Sequence, residues 1–188
     1  MKLINIGYLL LIIGTFLISY QYIIERKELI IEKNKIEYTL QQQTGYLVKK
    51  DIDVYNIILS IPQIKLKKGI YTKEDKRNDI EENIQIHEVS DYPNQDNSNV
   101  ILIAHSGTGK KAFFKDLEKL NQDSLIELYY DNIKYVYKID NYYNINKIGT
   151  ASIKRDKTKK TVTLITCSQS DKTKQLIYIG YLIDEIKY

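Results

Sequence analysis

Residues 161–167 read TVTLITC, a threonine-rich apolar run that predicts a β-strand ending at a cysteine. A polar loop follows, and QLIYIGYLI at 175–183 predicts the next strand. Earlier runs of the same character are VYNIILSI (54–61), QIKLKKGIY (63–71), IQIHEV (84–89), VILIAH (100–105), SLIELYY (124–130) and IKYVYKI (133–139). Many short strands without a strand–helix rhythm are typical of a mostly β, barrel-like domain.

Two other segments of this region lack β-strand character. KAFFKDLEKL (111–120) has helical periodicity, with Phe114, Leu117 and Leu120 on one side. The charged stretch TKEDKRNDIEEN (72–83) is typical of a loop or a short helix. The sequence therefore predicts one or two short helices beside the strands.

Composition narrows the possible functions. The chain has 188 residues, enough for one domain with an appendage. Its net charge of +4 is spread along the chain, which argues against a clustered basic face for nucleic acid. The single cysteine, Cys167, excludes an intramolecular disulfide and a zinc cluster of several thiolates. A lone cysteine is ordinarily a small buried hydrophobic residue, so a reactive role must be argued from its neighbours.

The N-terminal region contains a candidate membrane anchor. Residues 3–24, LINIGYLLLIIGTFLISYQYII, carry no charge and would span roughly 33 Å as a helix, enough for a bilayer core. A cleaved signal peptide is the alternative, but its apolar part is usually shorter and ends in small residues, and no such site follows Ile24. The flanking charges lean toward a cytoplasmic N-terminus, which would place the β-rich region outside the cell.

The segment after the anchor has weak helical spacing. Residues 25–43 are polar, with apolar positions such as Leu29, Ile36 and Leu40, and predict a helical stalk that Gly45 would end. We therefore divide the chain into an anchor with a short cytoplasmic end (1–24), a helical stalk or linker (25–50) and a β-rich domain (51–188).

Two residues at the ends of predicted strands suggest a reactive site. His105 ends a buried apolar run and precedes a loop with two glycines, and Cys167 ends its own strand before a polar loop. The other histidine, His87, lies in an alternating strand among charged residues, where a solvent-facing role is expected. Cys167 and His105 together predict a nucleophilic site in which imidazole and thiol share a proton and the thiolate attacks a carbonyl.

Several stretches resemble one protein family in order and spacing. Residues 163–167, TLITC, resemble the TLxTC signature of sortases, and residues 99–105, NVILIAH, resemble the family's strand that ends in its catalytic histidine. Residues 61–64 with 69–71 resemble its paired first strands, and Phe114, Leu117 and Leu120 its short helix after the histidine. The resemblance covers about residues 58–185 and leaves the subclass open between class B-like and class D-like.

The resemblance implies a fold and an activity. A closed eight-stranded β-barrel would form the catalytic domain, and the cysteine would cleave a C-terminal sorting signal of surface proteins or pilins through a thioester. An amine of a peptidoglycan cross-bridge or a pilin lysine would then accept the acyl group. The catalytic domain would be extracellular on a single-pass membrane protein, with no cofactor, metal or nucleic-acid partner. Two alternatives stay open: a Cys/His peptidase that only hydrolyses the signal, and a membrane-tethered binding module in which Cys167 is buried.

The sequence departs from the family at one position. Sortases carry an arginine on the strand after the cysteine loop, and the corresponding residue here is Gln175. Its amide can donate a neutral hydrogen bond to an oxyanion, so Gln175 is our candidate third catalytic residue. Lys172 and Lys174 are nearby alternatives, and reduced activity is a third possibility.

Three further residues are candidates for substrate binding. Thr166 and Leu164 belong to the TLITC strand that ends at the nucleophile. Tyr143 lies in the linker 142–160, which in the resembled family shapes the pocket for the sorting motif. The apolar residues of this linker could equally pack onto the barrel.

Overall fold

The computed structural model of the protein describes residues 2–44, 54–149 and 152–188. Its strands are β1 (Ile57–Ile61), β2 (Leu66–Ile70), β3 (Gln85–Ile86), β4 (Asn99–Ile103), β5 (Leu125–Tyr130), β6 (Ile133–Asn146), β7 (Thr161–Cys167) and β8 (Lys174–Lys187). They form one sheet in the order β2-β1-β5-β6-β8-β7-β4-β3. Neighbouring strands are antiparallel except β4 and β7, which run parallel.

The sheet curls into a nearly closed barrel. Its two edge strands, β2 and β3, approach each other across a side-chain contact in which Asn83 Nδ2 donates to Gly69 O at 3.0 Å. Asn83 is only 4 % exposed, and its Oδ1 accepts from the backbone N–H of Ile84. A buried amide satisfied at both ends can replace a ladder hydrogen bond at the seam. The predicted eight-stranded, mostly β barrel is confirmed.

Alternation along the strands separates an inner from an outer face. On β7, Val162 and Leu164 point into the barrel core, whereas Ile165 packs in a separate apolar cluster on the outside. The inner core also takes Leu176 and Tyr178 of β8. The outer cluster of β4, β7 and β8 consists of Ile101, Ile165, Ile177 and Ile179. Because β7 is buried on both faces, its sequence is nearly continuous in apolar and threonine residues.

Among the described residues, one long helix, α1 (Lys2–Gln43), precedes the barrel. It continues without a break from the apolar segment into the polar stalk, and it is long and apolar enough to cross a membrane. Its C-terminal part packs on the outside of the barrel, where Ile36 joins Tyr55, Ile58 and Tyr71 in an apolar cluster. The expected helix break at Gly45 and the boundary between residues 50 and 51 lie outside the described residues.

Some predicted elements differ from the structure. Residues 111–120 form a series of turns and one 3-10 helix (Leu117–Lys119), so the predicted short helix is present there as a single 3-10 turn. Phe114, Leu117 and Leu120 are nevertheless buried as expected. Their spacing of three residues suits the three-residue repeat of 3-10 geometry, which an α-helical pattern resembles over so short a stretch.

Other boundaries are shifted rather than misassigned. A second 3-10 turn (Pro62–Ile64) separates β1 from β2, and residues 72–83 form turns. The strand predicted at 84–89 is limited to Gln85–Ile86, and the linker predicted from residue 142 begins only after Asn146. The predicted hairpin is confirmed, with Asp131 and Asn132 at its tip in the left-handed conformation that a tight two-residue turn requires.

Candidate active site

Two parallel strands deliver His105 and Cys167 to the same end of the barrel. Ile103 of β4 is the register partner of Ile165 of β7, and His105 and Cys167 each follow two residues later. The pairing continues past the ladder, because the backbone N–H of Ala104 donates to Ile165 O at 3.3 Å. The two candidate residues therefore leave the sheet at the same level, each at the start of a loop.

A cavity of about 660 Å³ opens between these loops, and both His105 and Cys167 line it. Cys167 is partly exposed there, so its thiol can meet a substrate. This exposure contradicts the alternative in which Cys167 is a buried core residue. The remaining lining comes from the segments after β4, β6 and β7 and includes Gly107, Gly109, Lys147, Ser168, Gln169 and Lys172.

Hydrogen bonds fix the loop after Cys167 to the loop after His105. Ser106 Oγ donates to the backbone oxygen of Cys167 at 2.6 Å. In return, Gln169 Nε2 donates to Ser106 O at 3.0 Å, and the Gln169 backbone N–H donates to Glu118 Oε1 at 2.8 Å. The walls of the cavity thus hold each other in place, which preorganises the Cys–His pair.

His105 has a carboxylate neighbour that the sequence did not reveal. Its Nε2 lies 3.2 Å from Glu81 Oε1. A carboxylate at Nε2 favours the tautomer with the proton on that nitrogen and leaves Nδ1 to exchange a proton with a thiol. The side chain of Glu81 is 72 % exposed, so this contact orients the imidazole more than it stabilises the fold. Glu81 belongs to the charged stretch 72–83, where no spacing distinguishes one carboxylate from another.

An apolar strip on the outer barrel face leads to Cys167. Cys167 lies on the same face of β7 as Ile165, whose partner on β8 is Ile177. Tyr143 and Ile153 pack on this strip. The Tyr143 hydroxyl accepts a hydrogen bond from the Lys154 backbone N–H at 2.8 Å, so it holds the segment between β6 and β7 over the strip. Tyr143 and Ile153 therefore cover the strip next to Cys167.

Leu164 and Thr166 have contacts that do not suit the substrate-binding role expected from the sequence. Leu164 is fully buried in the inner core, on the opposite face of β7 from Cys167. Thr166 is 2 % exposed, and its Oγ1 donates to Ala104 O at 2.7 Å across the parallel strand pair. The alternation of β7 turns both side chains into the barrel, where they support the site from behind.

No metal site is evident in the part of the chain that the structure describes. Within residues 2–44, 54–149 and 152–188, no three His, Cys, Asp or Glu side chains group in a way that could hold an ion.

The protein family follows from a family model. The model of the Sortase domain matches residues 59–183, more than half of the chain and close to the interval marked by the sequence resemblance. The chain belongs to the sortase family. It is a cysteine transpeptidase on a β-barrel scaffold.

Solved structures of sortases have the same fold. Sortase C-1 from Actinomyces oris is 22 % identical, with a TM-score of 0.62 over 76 % of this chain and 80 % of that chain. Sortase C1 from Streptococcus agalactiae is 23 % identical, with a TM-score of 0.61 over 84 % and 91 %. Sortase C from Streptococcus pneumoniae is 15 % identical, with a TM-score of 0.62 over 84 % and 93 %. No curated protein matches this chain.

In this sortase Gln175 is the direct cross-strand partner of Cys167. Facing residues of an antiparallel pair point to the same side with Cβ atoms about 5 Å apart, so the two side chains leave the sheet next to each other. Gln175 is not, however, among the residues that line the Cys–His cavity. Lys174 is also outside the lining, and its ammonium is 3.3 Å from Asp171 Oδ2.

Three lysines line the cavity wall of the sortase instead. Lys111 is paired with Glu82 Oε1 at 2.6 Å, which leaves Lys147 and Lys172. Lys172 belongs to the loop after Cys167, and Lys147 follows β6. The Lys147 backbone N–H donates to Thr173 O at 2.8 Å, which brings the end of β6 to the cysteine loop. Among the described residues neither ammonium has an ion-pair partner. The sequence indicated Lys172 as an alternative, but Lys147 could not be anticipated because its proximity depends on this contact.

Asp171 pairs with Lys174 and not with Lys172, and Lys172 is the one of these two lysines that lines the cavity. Hydrogen bonds from the Thr173 side chain and backbone, and then from Lys174, lower the pKa of the Asp171 carboxyl. Asp171 is therefore ionised at neutral pH and pairs with Lys174 on the loop surface. The charges of these two residues offset each other, whereas that of Lys172 remains available to a ligand.

Proposed function

We propose that Cys167 is the nucleophile and His105 the acid/base residue of this sortase. The observation that carries the proposal is that both residues follow paired positions of the parallel strands β4 and β7 and line one cavity. Ser106, which follows His105 directly, uses its hydroxyl to donate a hydrogen bond to the Cys167 carbonyl. The resulting pair has the elements of an activated thiol.

In the first half-reaction, the Cys167 thiolate attacks the carbonyl carbon of a peptide bond. The tetrahedral oxyanion collapses, the carbon–nitrogen bond breaks, and protonated His105 gives its proton to the leaving amine. The acyl group remains on sulfur as a thioester. Glu81, next to Nε2 of His105, supports the protonated imidazole in this step.

In the second half-reaction, an amine attacks the thioester carbonyl. Neutral His105 accepts the proton that the amine loses, a new amide forms, and the Cys167 thiolate leaves to re-form the ion pair. A thioester retains enough acyl-transfer potential to react with an amine, provided that water does not compete. The covered apolar strip beside Cys167 favours this by limiting the water near the reacting carbon.

The third catalytic role has two groups of candidates. Gln175 faces Cys167 across the β7–β8 pair and could donate an uncharged hydrogen bond to the oxyanion. Lys147 and Lys172 line the cavity and could supply positive charge. We propose that the lysines provide the charge that an arginine at position 175 would bring, while Gln175 provides local polarity beside the thiol.

We further propose that the substrate is the C-terminal sorting signal of surface proteins or pilins, and that the acceptor is an amine of a cell-wall cross-bridge or a pilin lysine. The cavity of about 660 Å³ at Cys167 has room for a segment of an extended peptide. The description of the similar Streptococcus pneumoniae sortase C concerns pilin substrate specificity, which supports this substrate class.

The proposed location is the cell membrane, with residues 1–24 as a single-pass anchor, 25–50 as a stalk or linker and 51–188 as an extracellular catalytic domain. From Ile6 to Ile23 the large apolar side chains of α1 are exposed, as expected of a segment that lies in lipid. A free thiol outside the cell is unusual unless it has a chemical role, which the proposed mechanism provides.

The decisive experiment uses the full chain in detergent micelles with a set of sorting-signal peptides. Intact-mass analysis should show an acyl adduct on the wild-type protein and none on Cys167→Ser. His105→Ala should lose adduct formation by roughly 100-fold or more, the usual contribution of a general acid/base. Added amine should then convert the adduct into a peptide–amine product.

Two outcomes would overturn the proposal in different ways. Absence of any adduct with every peptide, while Cys167 still reacts with a small alkylating agent, would remove the proposed substrate class. An adduct that yields only the free acid at all amine concentrations would make the protein a hydrolase rather than a transferase.

A further inference from the structure

The loop that carries the active site contacts the helix at the end of its apolar segment. Lys110 Nζ lies 2.9 Å from Glu25 Oε1, and Glu25 is the first charged residue after the uncharged run 3–24. The neighbours of Lys110, Gly109 and Lys111, both line the Cys–His cavity. One wall of the cavity is therefore joined to α1 at the point where the helix would leave a membrane.

Beyond this point α1 is docked on the barrel by buried apolar contacts. Ile36 is 5 % exposed and packs with Tyr55, Ile58 and Tyr71. Burying a side chain of this size contributes roughly 1.5–3 kcal/mol relative to an exposed one. The cluster is separate from the inner core and holds the helix against the outer wall of the barrel.

Polar contacts surround this cluster and fix the rotation of the helix. Thr39 Oγ1 donates to Lys35 O and accepts from the Tyr55 backbone N–H at 3.1 Å. The Tyr55 hydroxyl donates to Glu32, and the Lys35 ammonium lies 4.2 Å from the centre of the Tyr55 ring. All these contacts are made from one face of α1, so rotation of the helix about its axis would break them together.

The order of contacts gives the direction of the helix along the barrel. Glu25 meets Lys110, Glu32 meets Lys68 at 3.0 Å, and Gln43 meets the hydroxyl of Tyr188. Tyr188 follows the end of β8, whose beginning lies beside Cys167. The active-site end of the barrel is thus beside the start of the extramembrane helix, and the opposite end is roughly 27 Å farther along it at about 1.5 Å per residue.

Exposed apolar residues lie on α1 on both sides of Glu25. Leu29, Ile30 and Ile31 are all more than half exposed, whereas no large apolar side chain among described residues 32–44 is exposed. Glu25 is therefore flanked by exposed apolar side chains on both sides along the helix. Such a pattern is typical of a segment within the interfacial layer of a membrane.

We propose that residues 25–43 are a strut locked to the barrel, which holds the Cys–His cavity at the lipid headgroup layer of the membrane that carries the anchor. The loop 106–111 forms the surface that faces the membrane, and the headgroup layer is the partner of that surface. A peptide must then reach Cys167 close to the bilayer surface instead of from open solvent. The inference rests on the proposed membrane anchoring of residues 1–24.

The test places a nitroxide at either end of the barrel of the full-length protein in lipid vesicles. In a Cys167→Ala background, Thr108→Cys labels the active-site loop and Lys187→Cys labels the opposite end, and both positions are exposed. The vesicles contain a lipid with a nickel-chelate headgroup, which relaxes nearby nitroxides. Relaxation should be several-fold stronger at position 108 than at position 187.

A matched pair of helix variants separates the strut from the anchor. Ile36→Asp places a charge in the docking cluster and should abolish the difference between the two labels, whereas Asn34→Asp adds the same charge at an exposed position and should preserve it. Equal relaxation at both labels in a protein that floats with the vesicles would overturn the strut alone. A protein that stays in the aqueous fraction would overturn the anchoring and, with it, this inference.

Discussion

Ser106 Oγ donates a 2.6 Å hydrogen bond to the backbone oxygen of Cys167 and so joins the two loops that begin at the proposed catalytic residues. The donor follows His105 directly, and the acceptor belongs to the nucleophile itself. The position of the thiol relative to the imidazole therefore depends on a bond that neither side chain makes.

We expect Ser106→Ala to slow acylation of Cys167 more than it destabilises the fold. Loss of one such hydrogen bond reduces the free energy of unfolding by about 0.5–1.5 kcal/mol. The Cys167 loop also loses its link to the His105 loop, so the single-turnover rate of thioester formation should fall by roughly 10-fold or more. Stopped-flow mixing with a sorting-signal peptide measures this rate, and urea denaturation measures the stability.

Ser90→Ala is the control for this variant. Ser90 is also buried and accepts a hydrogen bond from the Ile101 backbone N–H at 2.9 Å, but it lies toward the other end of β4. It should lose similar stability and keep the acylation rate. Equal losses of rate in the two variants would mean that Ser106 acts only through overall stability.

Thr166→Val should have a second, separable effect on the site. The Thr166 hydroxyl donates to Ala104 O, one residue before His105. The substitution therefore removes a hydrogen bond that helps to keep the end of β7 in register with the end of β4. Leaving a buried carbonyl without its partner costs about 1–3 kcal/mol. Thr163→Val is the control, because Thr163 Oγ1 makes a bond of the same length, 2.7 Å, to Asn99 Oδ1 farther from the site. Reactivity of Cys167 toward iodoacetamide should change in the first variant only.

The sequence predicts the strands and the pair at their ends because both are local features. TVTLITC forms β7 with the predicted limits. A short continuous apolar run such as VILIAH is typical of a strand that is buried on both faces, and it forms β4. Cys167 and His105 are the only residues of their types at such strand ends. Their candidacy therefore needed no knowledge of which strands pair.

The supporting residues could not be predicted, since they depend on contacts distant in sequence. Glu81 reaches His105 across the turns of residues 72–83, and Lys147 reaches the cavity because β6 runs on to Asn146 and bonds the cysteine loop. Conversely, proximity to Cys167 in sequence suggested Leu164 and Thr166, which the strand alternation turns inward. Because successive side chains of a strand point to opposite faces, residues next to Cys167 in sequence can lie on the other side of the sheet.

Gly69→Ala should destabilise the docking of α1. A Cβ at position 69 would lie 1.8 Å from Tyr55 Cδ2, so the ring, with its bond to Glu32, must move. Overpacking of this kind costs about 1–3 kcal/mol. Gly107→Ala is the control because a Cβ there meets no heavy atom within 4 Å. Thermal unfolding of the full chain should show a lower melting temperature for the first variant and little change for the second.

The lysines of the cavity should matter more to acylation than Gln175. Replacing both Lys147 and Lys172 by Gln removes the two cavity cations that have no ion-pair partner among the described residues. We expect a 10- to 100-fold lower single-turnover rate, less than the roughly 100- to 1,000-fold loss that follows removal of a donor aimed directly at an oxyanion. The wild-type rate should also fall as salt rises, because exposed charges are screened. Gln175→Ala should lower the rate by less than the double variant.

The opposite ranking would contradict this assignment. If Gln175→Ala abolishes acylation while the double lysine variant remains active, the amide alone fills the third role. Lys157→Gln with Lys159→Gln serves as the charge-matched control, because these lysines lie in the linker between β6 and β7 and do not line the cavity.

The docking of α1 should weaken in alkali through Tyr55. Burial, and then the hydrogen bond to Glu32, raise the pKa of the Tyr55 hydroxyl above its ordinary value of about 10. A group whose pKa is raised on folding contributes stability fully below its unfolded pKa and loses it as the pH rises toward the folded value. The free energy of unfolding should therefore decrease above about pH 10 more steeply in the wild type than in Tyr55→Phe, which cannot ionise. Urea denaturation of both proteins at pH 7, 9 and about 11 measures the difference, and parallel decreases would show that Tyr55 does not titrate with the docking contact.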